Sequence, residues 1–354
     1  MIRGSTPCRV LMISELARHI ASQLVLIEAE GSAVNLACSC RSLEVPILST
    51  LWETQSSLYT LLGVLPEEHM ESHPEVVGDP SPGDWDRVKR YASWMRQVHL
   101  YEWMYPGEET FKKLRLNSPP GGWFPTLQDL SFCIKDDTIP YADLFFSPHL
   151  KRVSIVLTVA WKYTGVPLRV LPLLVPTLSA LPTSSLERIS VQTRHLTVPW
   201  THLKDLFSSI VLRCGPSFTE YDSPIPLSDA ALDHLIQLPH LHTWCIYGPP
   251  PTYPASSLPL VFPPLRELTL GEGATRGWLA LLGRLGGGTA TAQGVAPLSK
   301  AKESLKALNI GENFGIDIDP SSVSTIQCFG IWSTSTGGAS ATTASTTVAN
   351  ASSR

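Results

Sequence analysis

Positive charge is sparse and scattered along this 354-residue chain: 27 Lys and Arg stand against 31 Asp and Glu, a formal net charge of −4, with no basic block. Such a chain presents no field to hold a nucleic-acid backbone or an anionic membrane surface. Charged residues are few altogether, 16% against 43% hydrophobic, which excludes dominant disorder and points to a packed body of one large or two modest domains. The seven cysteines are scattered and odd in number, so no disulfide framework is implied, and reduced thiols in the cytoplasm or nucleus suit them. Long uninterrupted apolar runs are missing too. Residues 10–27 are broken by Glu15, Arg18 and His19, unlike a secretory apolar segment, and residues 166–181 carry Arg169 and three prolines, too interrupted to span a bilayer. A soluble protein with neither nucleic acid nor membrane as partner is expected.

Signatures of chemistry are equally scarce. The Gly-rich stretch 283–288 follows a helix-like run and lacks the Lys-Ser/Thr that would contact phosphate and metal. His240-x-His242-x-x-Cys245 and the pair His69 and His73 each lack a second half, and zinc needs three or four ligands. Cys38-x-Cys40 is not a Cys-x-x-Cys pair, and Asp136, Asp137, Asp317 and Asp319 read as solvated charges near turns. No catalytic residue, metal ligand or cofactor site is assigned, and the chain reads as a non-enzyme.

Two patterns remain. Residues 10–62 read as helical: Ile13, Leu16, Ile20 and Leu24 recur at three and four residues, and Leu36, Cys40, Leu43 and Ile47 follow the i, i+4, i+7, i+11 spacing of one helix face. Ser32 is the expected N-cap of the second series, and Pro46 is expected to end or kink it near Val45, giving two shorter helices that meet around 44–47. On spacing alone, a private core within a helical domain is the favoured account of this face. Residues 66–84 are rich in turn-forming dipeptides and mark an exposed loop and a domain boundary.

From Met95 onward an apolar-x-x-apolar-x-apolar hexad recurs: Met95/Val98/Leu100, Phe111/Leu114/Leu116, Leu127/Leu130/Phe132, Leu150/Val153/Ile155, Leu186/Ile189/Val191, Leu241/Trp244/Ile246, Leu265/Leu268/Leu270 and Leu305/Leu308/Ile310. A weaker ninth, Phe218/Tyr221, has Ser223 at its third position and reads as a distorted or edge unit. Successive hexads start 16 to 40 residues apart, bracketing the period of about 20 to 29 of leucine-rich repeats. Helix-like segments at 141–146, 200–212, 227–238 and 278–285 can return the chain between strands. The fold class expected is α/β, a short helical domain followed by an irregular solenoid with a parallel concave sheet. Exposed aromatics near strand ends, Trp161, Tyr163, Trp200, Tyr247 and Tyr253, are candidates for a reader surface, and the prolines of 249–264 read as stiff loop walls. Residues 333–354, almost all Ser, Thr, Ala and Gly, form a tail too polar to fold.

The wording between Asn35 and Glu67 adds a family to these patterns. Asn-Leu-Ala-x-x-Cys-Arg from Asn35, then Pro46-Ile47-Leu48-x-x-Leu51-Trp52 and the stretch from Ser57 to Glu67 resemble a large fungal family of F-box-like proteins with degenerate leucine-rich repeats. The stretch from Asp84 to Ala92 is similar to that family's lead-in to its first strand. The resemblance covers most of 10–330 and implies an F-box-like domain at 10–62, a linker at 63–94, a repeat domain at 95–332 and the tail. It departs at Met12-Ile13-Ser14-Glu15-Leu16, where Ile13 stands in place of the family's usual proline. What it implies is a substrate-recognition subunit of an SCF-type cullin-RING ubiquitin ligase. Met12, Ile13, Leu16, Ile20, Leu36 and Leu48 would hold an Skp-type adaptor, Leu51 and Trp52 would pack the F-box onto the linker, and the repeats would hold an unknown target protein. The alternative is a non-ligase repeat scaffold whose F-box remnant caps the first repeat.

Overall fold

Three helices near the N-terminus enclose a small core of their own. In the computed structural model, which describes residues 6–71, 75–100, 106–134, 139–157, 167–193, 201–246, 265–270, 307–310 and 333–334, these are α1 (Thr6–Leu26), α2 (Glu30–Ser39) and α3 (Arg41–Leu51). Their core is lined by Ala17, Ala21, Ala33, Ala37 and Ile47, with Leu24, Leu36, Leu43, Leu48 and Leu51 packed around it. Alanine on facing helices lets the axes approach closely, so one Ile side chain fills the centre. The α1–α2 turn is a Schellman closure: Ala29 N–H donates to Leu24 O at 2.8 Å and Glu28 N–H to Val25 O at 3.0 Å. Glu28 occupies the left-handed position at φ 57°, where glycine is the usual occupant.

Two local expectations are corrected here. Glu30 and not Ser32 opens α2, after Ala29, which makes no side-chain cap. The break between helices falls at Cys40, extended at φ −153° and ψ 128°, and α3 runs unbroken through Pro46. A proline in the second turn forfeits one N–H donor; Pro46 is itself buried, and its carbonyl accepts the hydroxyls of both Ser49 and Thr50 at 3.0 Å.

A second, much larger core begins at Leu58 and runs to Leu268, with Trp52 packed against its edge. The two cores therefore part between Leu51 and Leu58, upstream of the turn-rich stretch, which contributes Val76 to the second core. α4 (Leu58–Leu62) starts on a Ser57 cap accepting from Tyr59 N–H, and α5 (Pro82–Ala92) on a Ser81–Asp84 capping box with proline in the first turn. α5 buries Trp85, Val88 and Ala92.

Among the described residues ten parallel strands stand side by side in strict chain order: β1 (Thr54–Gln55), β2 (Gln97–Leu100), β3 (Asp129–Ile134), β4 (Arg152–Leu157), β5 (Arg188–Thr193), β6 (Glu220–Ser223), β7 (Thr243–Ile246), β8 (Glu267–Leu270), β9 (Ala307–Ile310) and β10 (Ser333–Thr334). β2 to β9 each carry one hexad. Their middle positions form a single in-register row, Val98, Leu130, Val153, Ile189, Tyr221, Trp244, Leu268 and Leu308. Because side chains alternate along a strand, this row from Val98 to Leu268 and the third positions from Leu100 to Ser223 face the same core. Returning segments cover that face: α6 (Glu108–Leu116), a 3₁₀ turn at Ile139–Phe145, α7 (Pro167–Ser179), α8 (Thr201–Leu212) and α9 (Asp229–Gln237). The expected returns at 141–146, 200–212 and 227–238 are found within a residue or two at each end, whereas 278–285 lies outside the described residues.

The hexads need two corrections. Phe111/Leu114/Leu116 is helix α6, with acidic residues in its first turn and basic ones in its last, as the helix dipole favours. Phe111 and Leu114, three apart, share its buried face, while Leu116, five on from Phe111, is 84% exposed. The discounted unit Phe218/Tyr221/Ser223 ends in the interior strand β6, paired on both sides. Leu114→Ala is therefore expected to cost about 2–5 kcal/mol and Leu116→Ala to stay within about 0.5 kcal/mol in urea denaturation; equal losses would contradict the helix.

Candidate partner-docking faces

The inner face of α1 is set by Ala17, Ala21 and Leu24, at i, i+4 and i+7. Leu16 and Ile20 precede the two alanines by one residue each, about 100° round the helix, and are turned to solvent at 59% and 39% exposure. The apolar series on α1 is thus split between a small-residue stripe that packs inward and a large-residue stripe that has no cover. Leu26 and Ile27, at the end of the helix, are more exposed still, and Val34 on α2 and Val45 on α3 are also exposed. These last four went unassigned in the sequence.

The remaining adaptor-face candidates lie elsewhere. Leu36 and Leu48 are half-buried against the alanine-lined core. The face Leu36, Cys40, Leu43, Ile47 is interrupted by the helix break: Ile47 is fully buried, Leu36 and Leu43 pack beside it, and Cys40 is exposed. Met12 and Ile13 lie within α1, and their side chains fall outside the described residues. Leu51 packs on the helical core, whereas Trp52 turns to the second core and packs against Tyr91, the rings tilted at 35° with centroids 4.6 Å apart. Arg90 reaches back to Glu44 at 3.5 Å, a second link between the two units. At the break, the Cys40 thiol lies 3.0 Å from the Ser42 hydroxyl, and that contact, with the Ser42 and Leu43 backbone, holds it below the usual thiol range.

The sheet face opposite the helices carries the residues between the core rows. Its first row reads Gln97, Asp129, Arg152, Arg188, Glu220, Thr243 and Glu267, and the next His99, Ser131, Ser154, Ser190, Asp222, Cys245 and Thr269. Charges pair across neighbouring strands, Arg152 with Asp129 at 2.9 Å and Arg188 with Glu220 at 3.2 Å. Beneath the strands runs a hydroxyl ladder that the hexads did not disclose: Thr126 donates to Met95 O at 3.0 Å, Ser185 to Leu150 O at 2.9 Å and Ser217 to Leu186 O at 3.3 Å. Its sequence signal is a Ser or Thr immediately before the first apolar residue of a hexad.

Among the described residues no three His, Cys, Asp or Glu side chains gather as a metal site, and no helix is long and apolar enough to cross a membrane. His69 bonds Val77 O at 3.3 Å and His242 the Thr243 hydroxyl at 3.1 Å. The aromatic candidates Trp161, Tyr163, Trp200, Tyr247 and Tyr253, the prolines of 249–264, the Gly-rich stretch 283–288, His73, the four aspartates noted above and residues 335–354 lie outside the described residues.

Burial raises the Asp222 carboxyl above its ordinary range, opposed by the Ser190 hydroxyl at 3.1 Å and by Arg188. Glu220 is raised by burial as well, with Arg188 opposing. A carboxyl raised on folding binds its proton more tightly in the native state, so it lowers stability as pH climbs from its unfolded value, about 3.9 for Asp, through the raised folded value. Asp222→Asn keeps an acceptor for Ser190 and removes the charge. It is expected to match the parent near pH 3.5 and exceed it at about pH 7 in urea denaturation; a difference that does not change with pH would refute the assignment. Compared with known proteins, the chain matches no family model and no curated protein.

Proposed function

We propose that this chain is an F-box-like substrate-recognition subunit of an SCF-type cullin-RING ubiquitin ligase, acting in the cytoplasm or nucleus. In this reading the α1–α3 unit binds an Skp-type adaptor and the sheet, as a degenerate leucine-rich-repeat solenoid, reads a target protein. One observation carries the proposal: a small helical unit with its own core leaves Leu16 and Ile20 uncovered on α1 and is joined directly to a parallel sheet that adds one strand per turn of the chain. The first part suits a protein partner because large aliphatic side chains exposed beside a complete core gain free energy only by being covered, at about 25 cal/mol per Å². The second suits recognition because a long parallel sheet packed with helices on one side leaves its other face as a broad polar surface.

No bond is made or broken by this chain in that role. It holds target and ubiquitin-charged enzyme in one assembly, so that transfer proceeds at an effective concentration set by geometry instead of by collision. Leu16 and Ile20 are the adaptor contacts on this reading, with Met12 and Ile13 one to two turns before them; Leu36 and Leu48 support the unit from within.

The packing of Leu36, Leu43, Ile47 and Leu48 onto a private core favours a second reading, a repeat scaffold in which the helical unit caps the sheet and binds no adaptor. Co-purification of the full chain with an Skp-type adaptor at micromolar concentration separates the two. On the ligase reading the parent is retained, Leu16→Asp and Ile20→Asp each weaken binding at least about tenfold, roughly 1.4 kcal/mol, and both keep the parent circular dichroism because the sites are exposed. Leu36→Asp is expected to unfold the helical unit. A folded parent that captures no adaptor would end the ligase reading and leave the scaffold.

A further inference from the structure

Strand β6 departs from its neighbours at one core position. Where the third hexad residue is Leu100, Phe132, Ile155 or Val191 in β2 to β5, β6 has Ser223, fully buried. Its Oγ accepts the Ile225 N–H at 3.0 Å, which leaves the hydroxyl proton to be placed. Tyr221, two residues earlier, points to the same side of the sheet, and Trp244 stands opposite Tyr221 on β7. Both aromatic side chains are completely buried, and neither Tyr221 Oη nor Trp244 Nε1 has a hydrogen-bond partner in the protein. Ser223 lies near enough to act on the Tyr221 hydroxyl without completing a bond to it. Cys214, whose charge would also act on Tyr221, is no substitute: its thiol already donates to Ile210 O at 3.5 Å, and burial pushes it up to about 12, so it stays neutral.

Two buried polar groups on neighbouring strands thus lack a partner, next to a core position where a serine replaces an aliphatic residue. An orphaned buried donor costs about 1–3 kcal/mol, and buried polar groups in folded proteins are almost always satisfied by protein or by ordered water. An internal water needs two to four polar partners, and Tyr221, Ser223 and Trp244 can supply three. We infer that an ordered internal water binds behind β6 and β7, accepting the Trp244 indole N–H and exchanging hydrogen bonds with the Tyr221 and Ser223 hydroxyls. It completes the core at the one strand whose hexad is broken, and explains how a serine is carried in an interior strand without interrupting the sheet.

A crystal structure of the full chain at a resolution that shows ordered water tests this directly. The expected result is a density peak within about 2.7–3.2 Å of both Trp244 Nε1 and Tyr221 Oη; ordered side chains with no peak between them would overturn the inference. Tyr221→Phe gives an independent check, since it deletes one orphaned hydroxyl and leaves Ser223 and its bond to Ile225 in place. With the water part of the fold, the urea midpoint falls because the water loses a partner. Were the site dry, removing an unpaired buried hydroxyl would raise the midpoint, and that result would overturn the inference as well.

Discussion

One backbone carbonyl per turn of the chain, that of the residue just before each strand, holds the sheet in register. Glu53 O accepts the N–H groups of Arg96 and Gln97, Arg96 O those of Gln128 and Asp129, Gln128 O those of Lys151 and Arg152, and the series continues through Lys151, Glu187, Thr219 and His242. Each carbonyl has two lone pairs, so one acceptor can fix both the entry and the first residue of the next strand. A one-residue slip would turn every core side chain to the polar face; the doubled acceptor and the apolar row resist that slip together. Insertions between strands leave this contact alone, which is why strand hexads 23 to 40 residues apart still align.

The hexads were legible because strand period and core row coincide: two apolar positions two residues apart, with a third three residues before them, describe a strand and its approach. The same reasoning shows why Phe111/Leu114/Leu116 misled. Spacing of three suits a helix as well as the approach to a strand, and the deciding signal was charge, Glu108 and Glu109 before and Lys112, Lys113 and Arg115 after. Ser223 misled in the opposite direction. A polar residue in a core row suggests an edge, yet a serine that accepts a nearby N–H hides half of its polarity, and register supplied by the carbonyl ladder does not need every apolar position filled.

In the helical unit, element type was legible and the buried face was not. Large aliphatics mark a helix face in sequence, but on α1 the buried face is centred on Ala17 and Ala21, because α2 also offers alanines, Ala33 and Ala37, and α3 fills the centre with Ile47. Pro46 carried a strong local signal that tertiary packing overrode, while Cys40, with no strong signal of its own, became the break. Adaptor-face residues proposed from wording alone were sorted by this packing into Leu16 and Ile20 outside and Leu36 and Leu48 within.

The separation of the two cores governs what the helical unit can do. If α1–α3 existed only to close the end of the sheet, its largest side chains would be expected to merge with the sheet's core, as Trp52 and the α4 leucines do. Instead the five residues at its centre are four alanines and one isoleucine, and Leu16 and Ile20 of α1 stand one residue out of line with Ala17 and Ala21, on the outside. β1, only two residues long, already covers the first part of β2 and lessens the need for a cap. A unit with its own core, joined to the sheet through Trp52 and the Glu44–Arg90 pair, and exposing Leu16 and Ile20 on α1, is the arrangement from which the proposed adaptor-binding reading is argued.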